Sequence, residues 1–433
     1  MENLDYARLQ MAFTLGFHII FACIGMVMPF FMVVAHRKWL NTRNPIYKKL
    51  CKAWLKGVAI FFVTGAVSGT ALSFELGMLW PEFMKHAGPI IGMPFSLEGA
   101  AFFIEAIALG FYLYGWNKFP ENFHWFTGII VGISGVASGI LVVSANGWMN
   151  APSGFDYVNG EFTNIDPVQA LLNPAWFTQA LHMTLAAFIA TSFAVAGIHA
   201  FQILKKRNVE LHKKAFKIAI VFGAIAAFLQ PLSGDRSAKD IAERQPVKLA
   251  AMEAHYETEN GAPLLIGGIV DEETREVSYK IEIPKALSFL AFGDFDAEVK
   301  GLNDFPDDEL PPVAIVHYAF QIMVGIGGLL MLAGLIYFIS LKKKKWMNNK
   351  YYWLFFILLA PMGFIALEAG WVVTEVGRQP WIIHQIMRTK DAVTPMPGMK
   401  YSFFFYLFLY TVLAITVTWL MIRQIKALNK TED

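Results

Sequence analysis

Two carboxylates interrupt an otherwise apolar stretch, PFSLEGAAFFIEAIALGFYLYG. Glu98 and Glu105 are seven positions apart, which on a helix places them on one face within about 20° and about 10.5 Å apart along the axis. A carboxylate at bilayer depth costs roughly 3 kcal/mol on insertion scales. Two acids at different depths on one face predict a proton relay. The alternative is a pair of neutral, hydrogen-bonded side chains that serves packing alone.

Four side chains in other apolar stretches can bind a metal: His18, His182, Met323 and Glu375. Imidazole, thioether and carboxylate groups can all bind heme iron, and a His/Met pair gives a six-coordinate, low-spin heme. A single protein ligand leaves the open position that oxygen chemistry needs. Taken singly, each residue has an ordinary explanation: a His bonded to a neighbouring helix, a Met in the core, or a Glu solvated at a helix end.

Polar residues near predicted helix ends add two further candidate contacts. Arg378, in GRQPW, carries a permanent charge that suits carboxylates such as heme propionates, although it could instead reach interfacial water. In ERQPVKLAAMEAHYE, Lys248 and Glu253 can bind the oxygens of a quinol and take its protons, with Gln245 nearby. The alternative for these three is the solvated face of an amphipathic helix.

The composition indicates a membrane protein. Of 433 residues, 56% are hydrophobic and only 16% charged, against about 25% charged in soluble proteins. Apolar runs of about 20 residues can span a bilayer, so we predict an all-α polytopic membrane protein with one long extracytoplasmic loop. The nine predicted spans cover residues 12–36, 53–78, 94–114, 125–145, 175–204, 214–232, 312–340, 351–373 and 402–422.

The connections between these spans differ in charge. The connections after spans one, five and seven carry six, six and five Lys or Arg residues. Span nine is followed by three more basic residues, Arg423, Lys426 and Lys430. The connection after span four carries no Lys or Arg. Because basic connections stay in the cytoplasm, we predict the N-terminus outside and the C-terminus inside. The candidate iron ligands and Glu98 then all lie in the outer half of the bilayer.

The outer connection between spans six and seven is long. We divide the chain into helices one to six (1–232), this loop (233–311), and helices seven to nine (312–433). Alternation in IVDEETREVSYKIEIP predicts a hairpin, and AKDIAERQPVKLAAMEAHYET predicts an amphipathic helix around Pro246. Loops of this length are commonly functional.

The chain resembles subunit I of the cytochrome bd quinol oxidases over nearly its whole length, in the type with a short quinol-oxidising loop (Q loop). The resemblance rests on the motifs LQMAFTLGFH, EGAAFFIE, ANGWM, GDRSAKDIAERQPVKLAAMEAHYET, QIMVG and GRQPW. It implies a terminal respiratory oxidase of the bacterial cytoplasmic membrane that oxidises quinol outside and reduces oxygen to water. Vectorial proton uptake, without pumping, would generate the proton motive force.

The resemblance also implies three hemes: a low-spin heme b, a high-spin heme b and heme d. His182 and Met323 match the ligands of the low-spin heme b. His18 and Glu375 match the ligands of the two high-spin hemes, and which of them carries heme d stays open. The residues implied around the hemes are Trp371 and Arg378.

Further roles follow from the same resemblance. Glu98 lies at the high-spin pair, where it is an additional candidate iron ligand, and Glu105 is the next carboxylate on the proton path. Gln245, Lys248 and Glu253 match the quinol-oxidising part of the Q loop.

The expected partners are a second large membrane subunit, quinol, oxygen and the lipid bilayer, with room for a small single-span subunit; nothing indicates nucleic acid. Whether the quinol is ubiquinol or menaquinol stays open. Gln321 stands two positions before Met323, where family members often have Arg. The tuning of the low-spin heme is therefore also open.

Two other functions fit part of the pattern. A b-type heme subunit that passes quinol electrons to a partner needs only the His and Met ligands, and oxygen uptake would distinguish it. A proton-coupled transporter also uses buried carboxylates, but it leaves the His and Met residues unexplained.

Overall fold

The computed structural model describes residues 3–429; Lys430, one of the basic residues used for orientation, lies outside them. Within this range, nine helical spans are long and apolar enough to cross a membrane. They are α1 (Asn3–Thr42), α2 (Pro45–Leu79), α3 (Pro81–Tyr114), α4 (Glu121–Asn150), α5 with α6 (Pro167–Leu171 and Trp176–Leu204), α7 (Val209–Arg244), α10 (Val313–Lys342), α11 with α12 (Lys350–Leu358 and Met362–Val376) and α14 (Met399–Leu428).

All nine predicted spans are confirmed, and several helices are longer than their apolar centres. The largest extension at a single end is in α3, which begins at Pro81 rather than near residue 94. An apolar run shows only which part of a helix lies in the lipid. Where the helix begins and ends depends on the capping residues, which can lie well beyond that run. Both α2 and α3 begin with Pro. The backbone N–H that Pro lacks would have no partner within the helix at this first position, so Pro is tolerated there. At the start of α2, Asn44 Oδ1 accepts from the Ile46 N–H at 3.0 Å.

The eighth span is broken into two helices. α11 ends at Leu358 and α12 begins at Met362, directly after Pro361. Beyond the break, Gly363 packs against the backbone of α6, since a Cβ at this position would lie 2.5 Å from Ala190 Cα. This glycine therefore allows a close approach of α12 to α6.

Residues 233–244, which the sequence analysis assigned to the long loop, continue helix α7 as far as Arg244. Pro246, which cannot continue a helix hydrogen-bond ladder, starts the separate short helix α8 (Pro246–Glu253). The predicted hairpin is confirmed as an antiparallel pair of strands β5 and β6. The elements of the loop are β3 (Glu259–Asn260), β4 (Leu264–Ile266), β5 (Ile269–Asp271), β6 (Glu276–Ser278), β7 (Ile281–Ile283), α9 (Ala286–Phe292) and β8 (Glu298–Val299).

The loop strands form nested antiparallel pairs, with β5–β6 innermost, then β4–β7, then β3–β8. Two further antiparallel pairs lie in other connections. They are β1 (Asp156–Val158) with β2 (Glu161–Thr163), and β9 (Trp381–Ile383) with β10 (Met387–Arg388), which precedes α13 (Thr389–Ala392).

Helix α1 lies at the centre of the bundle and packs on α2, α4, α6 and α14. The largest hydrophobic core cluster is built largely from α1, α2, α6 and α7. Helix α12 packs on both α6 and α10, and α3 packs on α4. The helices that carry His182, Met323 and Glu375 are therefore neighbours.

We expect Gly363→Ala to destabilise the protein by about 1–3 kcal/mol, because the added methyl group overpacks the contact with α6. Gly327→Ala is the matched control: no heavy atom of the described chain lies within 4 Å of a Cβ added there. Since Ala favours helix over Gly by about 1 kcal/mol, Gly327→Ala should leave the thermal unfolding midpoint of the detergent-solubilised protein unchanged or raise it. Equal shifts in the two variants would show that Gly363 does not mediate close packing.

Candidate functional site

The C-terminal end of α12 carries a half-buried ion pair. Arg378 Nη2 donates to Glu375 Oε2 at 2.6 Å, and Asn146 Nδ2 of α4 donates to Glu375 Oε1. Arg378 is only 3% exposed. Within residues 3–429, its Nε and Nη1 atoms have no hydrogen-bond partner. Buried guanidinium donors left free in this way suit a further carboxylate, such as a heme propionate.

Lys248 of α8 lies beside this pair. Its Nζ donates to Asn150 Oδ1 at 2.7 Å, and Gln245 Nε2 donates to the Asn150 carbonyl at 2.8 Å. The pKa of Lys248 is lowered to about 7, mainly by burial and then by the charge of Arg378, and the charge of Glu375 opposes this shift. The structure thus brings two of the predicted quinol residues together with two of the predicted heme residues.

Glu253 lies apart from Lys248. Five positions on a helix correspond to about 140° of rotation, so the two side chains point in different directions. Glu253 is 3% exposed, and its Oε2 atom has no hydrogen-bond partner in the part of the chain that the structure describes. Burial raises the pKa of Glu253 to about 8.

Three residues of this cluster were missed by the sequence analysis. Asn146 and Asn150 are four positions apart in ANGWMN, a spacing that places both on one face of α4, so this motif held a usable signal. His384 lies in the connection after α12, and burial and the charges of Lys248 and Arg378 lower its pKa to about 4. The position of His384 depends on a long-range contact, in which its backbone N–H donates to the Met149 carbonyl at 3.0 Å.

His182 lies on α6 against α7. Gln230 Nε2 lies 3.0 Å from His182 Nε2 and 3.2 Å from the His182 carbonyl. Gly234 leaves space beside the ring, since a Cβ there would lie 3.6 Å from His182 Cε1. Within the described chain, the buried Nδ1 atom has no hydrogen-bond partner. The ring is therefore weakly held by protein groups.

Met323 lies on α10 against α12. A Cβ added at Gly370 would lie 3.0 Å from Met323 Sδ, so this glycine makes room for the thioether. Trp371, which follows Gly370 on α12, packs against the largest hydrophobic core cluster. Met323 and His182 thus lie on two helices that both contact α12.

His18 has one ring nitrogen prepared as a ligand. Ser68 Oγ donates to the Thr64 carbonyl at 2.9 Å, which uses the hydroxyl proton. The 2.8 Å contact between His18 Nδ1 and Ser68 Oγ therefore requires Nδ1 to be the donor. The lone pair is then on Nε2, and a histidine that binds a metal usually donates its other N–H in this way.

The two acids of α3 both face α4. Ser138 Oγ donates to Glu98 Oε1 at 2.8 Å. Glu105 is buried, and a Cβ added at Gly135 would lie 3.5 Å from its carboxylate oxygens. The shared face predicted for Glu98 and Glu105 is confirmed by these contacts with one neighbouring helix.

Two further buried acids lie against α1 and were not singled out from the sequence, although both stand within predicted spans. Glu75 Oε1 accepts from Gln10 Nε2 at 3.0 Å and from Thr14 Oγ1 at 3.2 Å. Glu368 lies against Gly16, where an added Cβ would be 3.2 Å from its Oε2 atom. An ionisable residue inside an apolar span was the available signal for both.

Gln321 does not stand free on α10. Its Nε2 donates to the Leu265 carbonyl at 3.0 Å, and its Oε1 accepts from the Gly267 N–H at 3.2 Å. An arginine at this position has no acceptor atom and cannot make the second bond. The residue that differs from the common family pattern thus joins α10 to the outer loop.

Comparisons with known proteins agree with this arrangement. The family model for cytochrome bd terminal oxidase subunit I matches residues 6–429. A putative cytochrome bd menaquinol oxidase subunit I of Bacillus subtilis is 36% identical, with 100% of this chain and 99% of that protein covered. A cytochrome bd ubiquinol oxidase subunit 1 of the same organism is 32% identical, with 98% and 94% covered.

A solved structure shares the fold closely. The bd oxidase of Geobacillus thermodenitrificans superposes with a TM-score of 0.94 at 38% identity, covering 98% of this chain and 99% of that one. Members of this family carry heme and typically work with a subunit II. The chain belongs to the cytochrome bd terminal oxidase subunit I family and is a multi-pass membrane subunit of a quinol oxidase.

Proposed function

We propose that the chain carries a low-spin heme b, a high-spin heme b and heme d, oxidises quinol at the outer face of the bacterial cytoplasmic membrane and reduces oxygen to water. Its N-terminus lies outside and its C-terminus in the cytoplasm. Its partner is a second large membrane subunit, and the assembly leaves room for a small single-span subunit. The consumed protons come from the cytoplasm, so that a proton motive force arises without pumping.

The observation that carries this proposal is the cationic site between α4, α8 and α12. Arg378 and Lys248 are both 3% exposed, and Glu375 supplies one negative charge for the two of them. A bound propionate would supply the missing charge and occupy the free donors of Arg378. When bound, the hemes carry the electrons and reduce oxygen.

The chain's own residues would hold these groups as follows. His182 and Met323 would bind the low-spin heme, and His18, with its lone pair on Nε2, and Glu375 would bind the high-spin pair. Each Glu375 oxygen accepts one hydrogen bond, from Asn146 or from Arg378, and keeps a second lone pair with which it would bind iron. Nearby are Trp371, Arg378 and, as a further candidate ligand, Glu98.

The reduced-minus-oxidised spectrum of the purified oxidase complex tests the heme assignment. We expect b-type bands and a chlorin band far to their red, with His182→Ala and Met323→Ala each removing only the low-spin b signal. Met331→Ala, two turns further along α10, is the matched control and should retain all bands. Absence of the chlorin band would contradict heme d, and b-type bands without oxygen uptake would favour the b-type electron-transfer subunit.

Glu253 is the proposed proton acceptor for quinol, with Lys248 and Gln245 binding the quinol oxygens. Only an ionised carboxylate can accept the proton, and the pKa of Glu253 is raised to about 8. Below pH 8 the acceptor form is the minority and declines about tenfold per pH unit. The carboxylate would release the proton to the outside.

We therefore expect kcat/KM for quinol to rise with external pH up to about 8 and then to level. Glu253→Gln should remove this rise and lower kcat/KM by about 100-fold. Glu257→Gln is the matched control, because Glu257 is exposed and lies four positions further along the chain. A pH rise that persists in Glu253→Gln would exclude this residue as the acceptor.

Glu98 and Glu105 are the proposed final carboxylates of the proton path from the cytoplasm. Glu105 lies deeper in the membrane, and the bond from Ser138 orients Glu98 at the next level towards the outside. Carboxylates can take and release protons, whereas amides cannot.

We expect Glu105→Gln to lower oxygen uptake by about 100-fold without changing the reduced spectrum. Glu82→Gln, at a partly exposed position on the same helix, should leave both unchanged. Oxygen uptake at the parent rate in Glu105→Gln would exclude the relay through this residue.

A further inference from the structure

One face of α10 is attached to the outer loop along its first three turns. The attached residues are Ala314, His317, Tyr318 and Gln321, whose spacing of three, four and seven positions places them in one row. We call these four residues the loop-facing row. Met323, the proposed ligand of the low-spin heme, is two positions beyond its last member.

The outer part of the row contacts the hairpin β5–β6. Glu272 Oε1 accepts from the Ala314 N–H at 2.7 Å, which caps a helix whose N-cap residue, Pro312, makes no side-chain cap. Tyr318 Oη accepts from the Val270 N–H at 3.0 Å. The loop therefore satisfies backbone and side-chain groups of α10 that would otherwise need water.

The inner part of the row contacts the end of β4. Gln321 makes its two bonds to Leu265 and Gly267, one as donor and one as acceptor. A primary amide is matched to this pair of backbone groups, since it carries both a carbonyl and an N–H. The position of the loop along α10 is thus fixed by a pair of hydrogen bonds close in sequence to Met323.

His317 joins the row to α8. It is fully buried, and its Nδ1 lies 2.9 Å from the Met252 carbonyl while its Nε2 lies 3.3 Å from the Gly267 carbonyl. A neutral imidazole can donate to only one of these oxygens, and the shorter contact identifies Nδ1 as the donor. Met252 directly precedes Glu253, so this bond fixes the last turn of α8.

The carboxylate of Glu253 depends on that backbone position. After Glu253 the chain leaves α8 through Ala254, which has a left-handed φ of 49°. Such a conformation is uncommon for Ala and persists only where the surroundings hold it. The bond from His317 and this turn together define where Glu253 stands.

We propose that His317 and Gln321 are positioning residues for quinol oxidation, which hold the loop backbone against α10 and so fix Glu253 relative to the helix that carries Met323. This inference rests on the proposed role of Glu253. Neither residue touches the quinol itself. Both act through the backbone of Met252 and of Leu265 to Gly267.

Three variants of the intact oxidase complex test this role. His317→Phe keeps an aromatic side chain but removes the donor, and His317→Asn restores a donor at the place of Nδ1. Gln321→Met keeps the side-chain length and removes both bonds. Tyr318→Phe is the matched control, because it loses one loop bond, to Val270, that involves neither Met252 nor residues 265–267.

We expect His317→Phe and Gln321→Met to lower kcat/KM for quinol by about 10- to 100-fold, as misplacement of a reacting group does. In both, the midpoint of the pH profile of kcat/KM should shift, while the dithionite-reduced spectrum keeps its low-spin heme signal. His317→Asn and Tyr318→Phe should stay within about threefold of the parent. Oxygen uptake with an artificial electron donor that bypasses quinol should be unchanged in all four.

Several outcomes would overturn the inference. The first is a kcat/KM and a pH midpoint like those of the parent in both His317→Phe and Gln321→Met. The second is an equal loss of kcat/KM in His317→Asn and His317→Phe, because that result would assign the effect to packing. If His317→Phe does not assemble with heme, the comparison of Gln321→Met with Tyr318→Phe decides. If Glu253→Gln itself leaves the pH profile unchanged, the proposed function has failed; if only Glu253→Gln alters it, the positioning role alone has failed.

Discussion

The buried positive charge between α4, α8 and α12 is the constraint on which this site depends. The charge of Arg378 lowers the pKa of Lys248, and the charge of Glu375 raises it. Transfer of an unbalanced charge from water into a protein interior is costly, so Lys248 either loses its proton, as its pKa of about 7 allows, or has its charge met by dipoles or by a bound anion. The Asn150 side chain provides the dipole for Lys248, and a carboxylate-bearing cofactor would provide the anion.

This constraint explains why the site is assembled from residues far apart in sequence. Asn146 and Asn150 come from α4, Lys248 from the outer loop, and Glu375 and Arg378 from the end of α12. No single helix could place two cations and their partners in one dry volume. The close packing of α12 on α6 at Gly363 and the central position of α1 bring the required helix ends together.

Much of this architecture follows from local patterns in the sequence. Apolar runs predict the nine spans, and alternation predicts the hairpin β5–β6. Both signals are local, because a span or a strand imposes its pattern on residues that are neighbours in the sequence. The end of α7 at Arg244 was less predictable, since its last turns carry exposed charged residues, among them Asp235, Arg236 and Glu243, and so lie outside the apolar run. The contacts of Gln321 and His384 could not be predicted, because each joins segments whose approach is decided by the whole bundle.

Buried polar atoms without a partner lie both beside the loop and around α1. Within the described residues, they include two donors of Arg378 and one acceptor of Glu253 on the loop side, and acceptors of Glu75, Glu368 and Gln10 around α1. A free donor calls for an anion, and a free carboxylate oxygen calls for a proton or water. Arg378 is therefore suited to an anionic group, whereas Glu253 and the two acids around α1 are suited to protons.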